Sequence, residues 1–238
     1  MTIFGLVGGI APESTIAYYR QLVEGHRARF PTTYPHILIN SINLTQLLGY
    51  VGQGDDSGLT SFLTAEVVRL ANAGATVAAF ASNTPHLVFD AVAAKSPIPL
   101  VSIVEATARE AAARGFSSVG LLGTRTTMEA SFYPETFARM GIQVHTPAAA
   151  DRDYAHRVYF EELALGVFRP ETRAGLLAVI DRLEQAHQVE AVILGGTELP
   201  LILPDGTSAS VPLLDTTQLH VADLLRHGYP EHGPTIRR

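Results

Sequence analysis

The chain contains no cysteine. That absence excludes disulfides and thiolate metal ligands, and it removes a side chain that modest tuning turns into a thiolate near neutral pH. A surplus of positive charge is also missing: the formal net charge is −6, which gives no basic footprint for nucleic acid and no polybasic signal for a membrane surface. No apolar run approaches the ~20 residues of a membrane span. Met1 is followed at once by Ile3-Phe4-Gly5-Leu6-Val7, without the charged region and cleavage site of a signal peptide. A cytoplasmic protein is the expectation. The histidines show no metal-ligand spacing such as HExxH, so no metal is expected.

What is present is an ample core. The chain has 238 residues, 47% of them hydrophobic and 17% charged, which suits one large or two small domains. Strand-sized apolar runs lie at 3–7, 36–42, 75–80, 100–103, 118–122, 143–145, 191–194 and 211–214. Helical patterns separate them, at 14–28, 57–73, 103–114, 128–140, 151–165, 170–188 and 216–226. Such alternation is the signature of parallel sheets covered by helices. Ala73-Gly74-Ala75 and Arg114-Gly115-Phe116 each set a glycine helix stop before a buried strand, which suggests two repeats of similar architecture. The expected fold is α/β, with two pseudo-symmetric domains whose site lies in the cleft between them. The first domain is assigned 1–98 plus 210–238 and the second 99–209. Pro97-Ile98-Pro99 and the turn Pro204-Asp205-Gly206-Thr207 are the expected crossovers, and a frayed tail is expected from Tyr229. One continuous doubly wound sheet is the alternative.

Polar loops follow several of the strands, where open α/β sheets bind ligands. Ser82-Asn83-Thr84 follows the run at 75–80, and Gly196-Thr197-Glu198 follows the run at 191–194. Both offer hydroxyls and helix-start N–H groups, as does Gly123-Thr124-Arg125-Thr126-Thr127 after 118–122. Near the start, Gly8-Gly9-Ile10-Ala11-Pro12-Glu13-Ser14 joins the first strand to a helix. It is neither GxGxxG nor a phosphate loop, and its size suits a small carboxylate. The candidate ligand contacts are Gly9, Ile10, Ser14, Asn83, Thr84, Thr124, Arg125, Thr127 and Thr197. Glu13 and Arg125 are candidates to meet amino and carboxylate groups. For each loop the competing reading is a tight turn or a helix cap that holds no ligand.

In order along nearly the whole chain, several segments resemble the aspartate/glutamate racemases. They are Leu6 to Thr15 with Tyr18-Tyr19-Arg20, Ser82-Asn83-Thr84, Leu121 to Met128, Phe160-Glu161-Glu162-Leu163, Gly195-Gly196-Thr197-Glu198-Leu199, and Asp215-Thr216-Thr217-Gln218-Leu219-His220. The resemblance implies a cofactor-independent (PLP-independent) isomerase fold, a small carboxylate or amino-acid ligand and a homodimer. It also implies inversion at the α-carbon by two thiols, one on each face.

Here the resemblance places those thiols at Ser82 and Gly196. A serine hydroxyl is a far weaker acid than a thiol, and glycine carries no proton at all. Two-thiol racemisation is therefore impossible for this chain. His86, four residues after Ser82, is a candidate activator of its hydroxyl, and Glu198 is a candidate carboxylate base. His220 is a candidate border residue of the cleft. Three functions remain open: a racemase-family enzyme using these substitutes, a carboxylate-binding pseudoenzyme, and a Ser82-dependent isomerase or decarboxylase. Ser82→Cys with Gly196→Cys is expected to restore racemisation if the rest of the cleft is intact.

Overall fold

The computed structural model describes residues 1–230 apart from 11, 205 and 208. The expected tail lies outside the described residues beyond position 230, and the expected turn at 204–207 lacks its second residue.

Two four-stranded parallel sheets form the frame. The first contains β1 (Ile3–Gly8), β2 (His36–Ser41), β3 (Val77–Phe80) and β4 (Leu100–Val101), in the order β2-β1-β3-β4. The second contains β5 (Ser118–Gly123), β6 (Gln143–His145), β7 (Ala191–Gly195) and β8 (Leu213–Asp215), in the order β6-β5-β7-β8. The strand order is the same in both halves, as the repeated helix-glycine-strand phrases suggested. The central strands β3 and β7 are buried along their whole length. Sheets covered on both faces require such continuous apolar strands.

The helices are α1 (Pro12–Arg29), α2 (Leu44–Gln53), α3 (Asp56–Asn72), α4 (Phe89–Ala93), α5 (Ile103–Ala113), α6 (Arg125–Glu129), α7 (Phe132–Ala138), α8 (Ala149–Glu161), α9 (Pro170–His187), α10 (Leu199–Ile202) and α11 (Thr216–Gly228). On one face of the first sheet, Leu59, Leu63 and Val67 of α3 and Leu47 of α2 pack with Val7, Ala78 and Phe80. On the other face, Tyr18 and Leu22 of α1 and Val221 and Leu224 of α11 pack with Phe4, Leu6 and Ala79. Each fully buried leucine or valine contributes roughly 1.5–3 kcal/mol. The second core gathers α5, α7, α8 and α9 around Leu121, Leu122, Val192 and Ile193.

The strands divide differently from the expected domain boundaries. Leu100–Val101 pairs with β3, so the first sheet continues past position 98. Leu213–Asp215 pairs with β7, so the second sheet continues past 209. The return to the first core is made by α11 alone, because its apolar stripe is what covers the first sheet. The helix expected at 128–140 is two short helices, with Ala130 extended between them at φ −77° and ψ 159°.

Candidate functional site

The loops after β1 and β3 lie at the point where strand order reverses in the first sheet. Ser14, in the first turn of α1, donates from Oγ to the carbonyl of Ala81 at 2.6 Å, locking the two loops together. The Gly9 N–H donates to Thr15 Oγ1 at 2.9 Å, so it is already satisfied within its own loop. Gly9 has φ +78°, and a Cβ there would sit 2.6 Å from both Ile42 O and Ser41 Oγ. This glycine is demanded by the close approach of the segment after β2; its amide does not cradle an anion. Ile10 is buried in the first core, and Glu13 is exposed on the first turn of α1.

Ser82 and Asn83 follow β3 and are both buried. Thr84 opens the 3-10 turn Thr84–Val88 that carries His86. His86 stacks flat on Phe89, with ring centroids 4.9 Å apart and an interplanar angle of 4°. Its Nδ1 lies 3.2 Å from the Asn83 carbonyl, and its Nε2 accepts the Ile103 N–H at 3.1 Å. Burial, and then the neighbouring His220, lower its pKa to about 3. With both ring nitrogens held by the backbone, His86 is a neutral brace between β3 and α5. The expected activation of Ser82 by His86 is thereby corrected. A cavity of about 490 Å³ beside His86 is lined by the His86 turn itself and by residues of α3, α4, α5 and α7, not by Ser82, Gly196 or Glu198.

In the second half, Thr124 caps α6: its Oγ1 accepts the Thr127 N–H at 3.4 Å and lies 3.2 Å from Thr127 Oγ1. Arg125 turns to Asp153, with Nη2 to Oδ1 at 2.6 Å on an exposed surface, so its guanidinium is already paired outside the loop. Gly196, Thr197 and Glu198 follow β7. Thr197 Oγ1 donates to Glu198 Oε2 at 3.0 Å, and the Tyr159 hydroxyl donates to the same oxygen. Two donors on one oxygen favour the carboxylate. Burial nonetheless raises the Glu198 pKa; the hydrogen bonds from Tyr159 and Thr197 oppose the rise and the charge of Glu13 adds to it. A Cβ at Gly196 would fall 2.5 Å from Tyr159 Cε2.

The halves are tied at these loops. Tyr133 of α7 donates from its hydroxyl to Asn83 Oδ1 at 2.7 Å. Within the second half, Thr216, immediately after β8, donates to the carbonyl of Leu194 in β7 at 2.8 Å. His220 is completely buried and bonds Tyr18 Oη at 2.7 Å and the Val101 carbonyl at 2.9 Å, so it braces α1, α11 and β4 and has no nitrogen left for a ligand. Asn83 Nδ2, Glu198 Oε1 and Thr217 Oγ1 are buried without a hydrogen-bond partner among the described residues. All three stand just past the carboxyl ends of strands: β3, β7 and β8. A buried polar atom left unpaired costs about 1–3 kcal/mol, so each of these calls for a ligand or water. Thr64 Oγ1 in α3 and Ser118 Oγ at the start of β5 are likewise unpartnered among the described residues, away from these strand ends. Among the described residues no group of three His, Asp or Glu is placed to hold a metal.

Residues 7–224 match the sequence model of the Asp/Glu/hydantoin racemases. The chain belongs to that family. Among solved structures, a candidate Asp/Glu racemase from Yersinia pestis shares 35% identity and a TM-score of 0.87, covering 96% of this chain and 99% of the other. An aspartate racemase homologue from Pyrococcus horikoshii shares 37% identity and a TM-score of 0.83 over 96% and 99% of the two chains. Aspartate racemase from Picrophilus torridus, 19% identical with a TM-score of 0.75 over 96% and 94%, shares the fold.

The chain, a member of this family, carries no thiol. The expectation that thiols at 82 and 196 restore racemisation is conditional on an otherwise intact cleft, and at 196 that condition fails: a Cβ there would meet the Tyr159 ring at 2.5 Å. Tyr133, Tyr159 and Thr217 were not singled out from the sequence. Thr217 lay inside a segment that carries the racemase resemblance and Tyr159 immediately precedes one. Tyr133 had no local signal.

Proposed function

We infer that the chain binds a small carboxylate of the aspartate or glutamate class between its two sets of strand-end loops, without inverting it by thiol chemistry. The observation that carries this reading is the set of unpartnered buried atoms, Asn83 Nδ2, Glu198 Oε1 and Thr217 Oγ1. The Asn83 amide is a donor suited to a ligand carboxylate. Glu198 Oε1 is an acceptor suited to an ammonium or hydroxyl. Thr217 serves either. The Tyr133–Asn83 bond and the action of Glu13 on Glu198 support a cleft in which the halves face each other. Family membership supports the ligand class and an isomerase ancestry. Homodimerisation and a cytoplasmic setting belong to the same reading; among the described residues no helix is long and apolar enough to cross a membrane.

A Ser82-dependent isomerisation or decarboxylation is the weaker reading, because Ser82 has no free base in His86. Calorimetry against the enantiomers of aspartate and glutamate, and against malate, tests the binding. Deuterium exchange at the α-carbon, followed by NMR in heavy water, tests the chemistry. Binding of at least one diacid that is lost in Asn83→Leu, with no inversion, is the expected result. Failure to bind any of them would reject the assignment.

A further inference from the structure

The loop after β7 poses a steric problem with a chemical consequence. Gly196 has no side chain, yet its neighbourhood is filled. A Cβ built there would meet Tyr159 Cε2 at 2.5 Å, and the ring carbon Cζ and the hydroxyl oxygen each at 3.1 Å. Real Cβ atoms do not approach that closely, so the phenol and a side chain at 196 exclude one another. Tyr159 is not free to swing away. It lies in the last turn of α8, is 8% exposed within the second core, and its hydroxyl is bonded to Glu198, which is completely buried.

We propose that Tyr159 is a positioning residue that replaces the missing side chain of Gly196, its ring sealing that wall of the ligand site and its hydroxyl holding Glu198 with one oxygen free for a ligand's ammonium or hydroxyl. This deepens the carboxylate-binding reading and rests on it for the ligand. The packing part stands independently. Tyr159 and Thr197 both bond Oε2, leaving Oε1 without a partner. The groups that face this carboxylate are therefore Tyr159 from α8, Thr197 from its own loop and Glu13 from α1. In place of a thiol, this wall presents a neutral phenol and a fixed carboxylate.

The test is a stability cycle of wild type, Gly196→Ala, Tyr159→Val and the double variant, followed by thermal unfolding. Gly196→Ala should lower the melting temperature by about 5 °C or more in wild type and by under about 1 °C beside Tyr159→Val. Tyr159→Phe keeps the ring, so there Gly196→Ala should cost what it costs in wild type. Should Tyr159→Val fail to fold, Tyr159→Leu, which lacks the outer ring atoms, takes its place. Equal costs of Gly196→Ala in all backgrounds would overturn the packing claim.

The hydroxyl's role is read from the pH dependence of L-aspartate binding by Tyr159→Phe. Without the phenolic donor, Glu198 holds its proton to higher pH, and the loss of binding on acidification should move up by about one pH unit. An unchanged profile with intact affinity would overturn the positioning role. Wild type that binds no aspartate while the stability cycle couples would reject the ligand reading alone.

Discussion

The Tyr133 hydroxyl donates to Asn83 Oδ1 at 2.7 Å, joining α7 over the second sheet to the loop after β3 of the first. The bond decides which way the Asn83 amide points. With Oδ1 committed to Tyr133, it is Nδ2 that is left unpartnered among the described residues, and an NH2 group can only donate. Tyr133→Phe removes one buried hydrogen bond and lets the amide turn over. The expected outcome is a loss of about 1 kcal/mol in unfolding free energy and about a tenfold weaker affinity for the diacid that wild type binds. Denaturant melts and calorimetry check both. Unchanged affinity would show that Asn83 does not present Nδ2 to the ligand.

Acid sensitivity follows from the two buried imidazoles. Burial lowers His86 to about 3 and His220 to about 4, from an ordinary value near 6.5. Groups with a depressed folded pKa take up protons more readily in the unfolded chain. Their contribution is complete above about pH 6.5 and is lost as pH falls towards 4 and then 3. The melting temperature should fall on the order of 10 °C between pH 7 and 4. His220→Gln should be less stable at pH 7 and show a shallower fall. A fall as steep as in wild type would remove His220 from the cause.

Much of this molecule can be read from its residues, for a physical reason. Parallel strands covered on both faces must be apolar throughout, so β3 and β7 stand out as unbroken runs. The loops after them carry Ser82-Asn83 and Gly196-Thr197-Glu198, so the places where polar loops leave the two sheets were legible too. Leu44–Gln53 was not read as a helix, although Asn43 caps it and Gly54 ends it, because Gly49 and Gly52 depress its propensity. Tyr133 and Tyr159 escaped notice because their roles are tertiary. Each reaches a loop dozens of residues away, and neither periodicity nor capping reports such a meeting. The same limit explains His86, whose spacing from Ser82 suggested a catalytic pair while its nitrogens are spent on Asn83 and Ile103.

Gly9 separates packing from binding in the first loop. Its φ of +78° costs an alanine about 1–2 kcal/mol, and the added Cβ would press on Ile42 O and Ser41 Oγ at 2.6 Å. Gly9→Ala should therefore destabilise by more than about 2 kcal/mol in urea unfolding. A loss below about 0.5 kcal/mol would mean that the loop has room to spare.

The missing sulfur can be restored one position at a time. Ser82 is buried after β3, and Ser82→Cys changes one atom, so the variant should fold and carry the chain's sole thiol. Iodoacetate should alkylate it, and a bound diacid should slow the reaction. A single thiol can remove and return a proton on one face only, so α-deuterium exchange without inversion is the expected chemistry. Adding Gly196→Cys should lower stability and still give no racemisation, because the Tyr159 ring stands where the new side chain must go. Racemisation should appear, if anywhere, in the triple variant that also carries Tyr159→Val. Inversion of aspartate by Ser82→Cys with Gly196→Cys alone, as followed by circular dichroism, would show that the phenol yields the space readily and that this wall is not sealed.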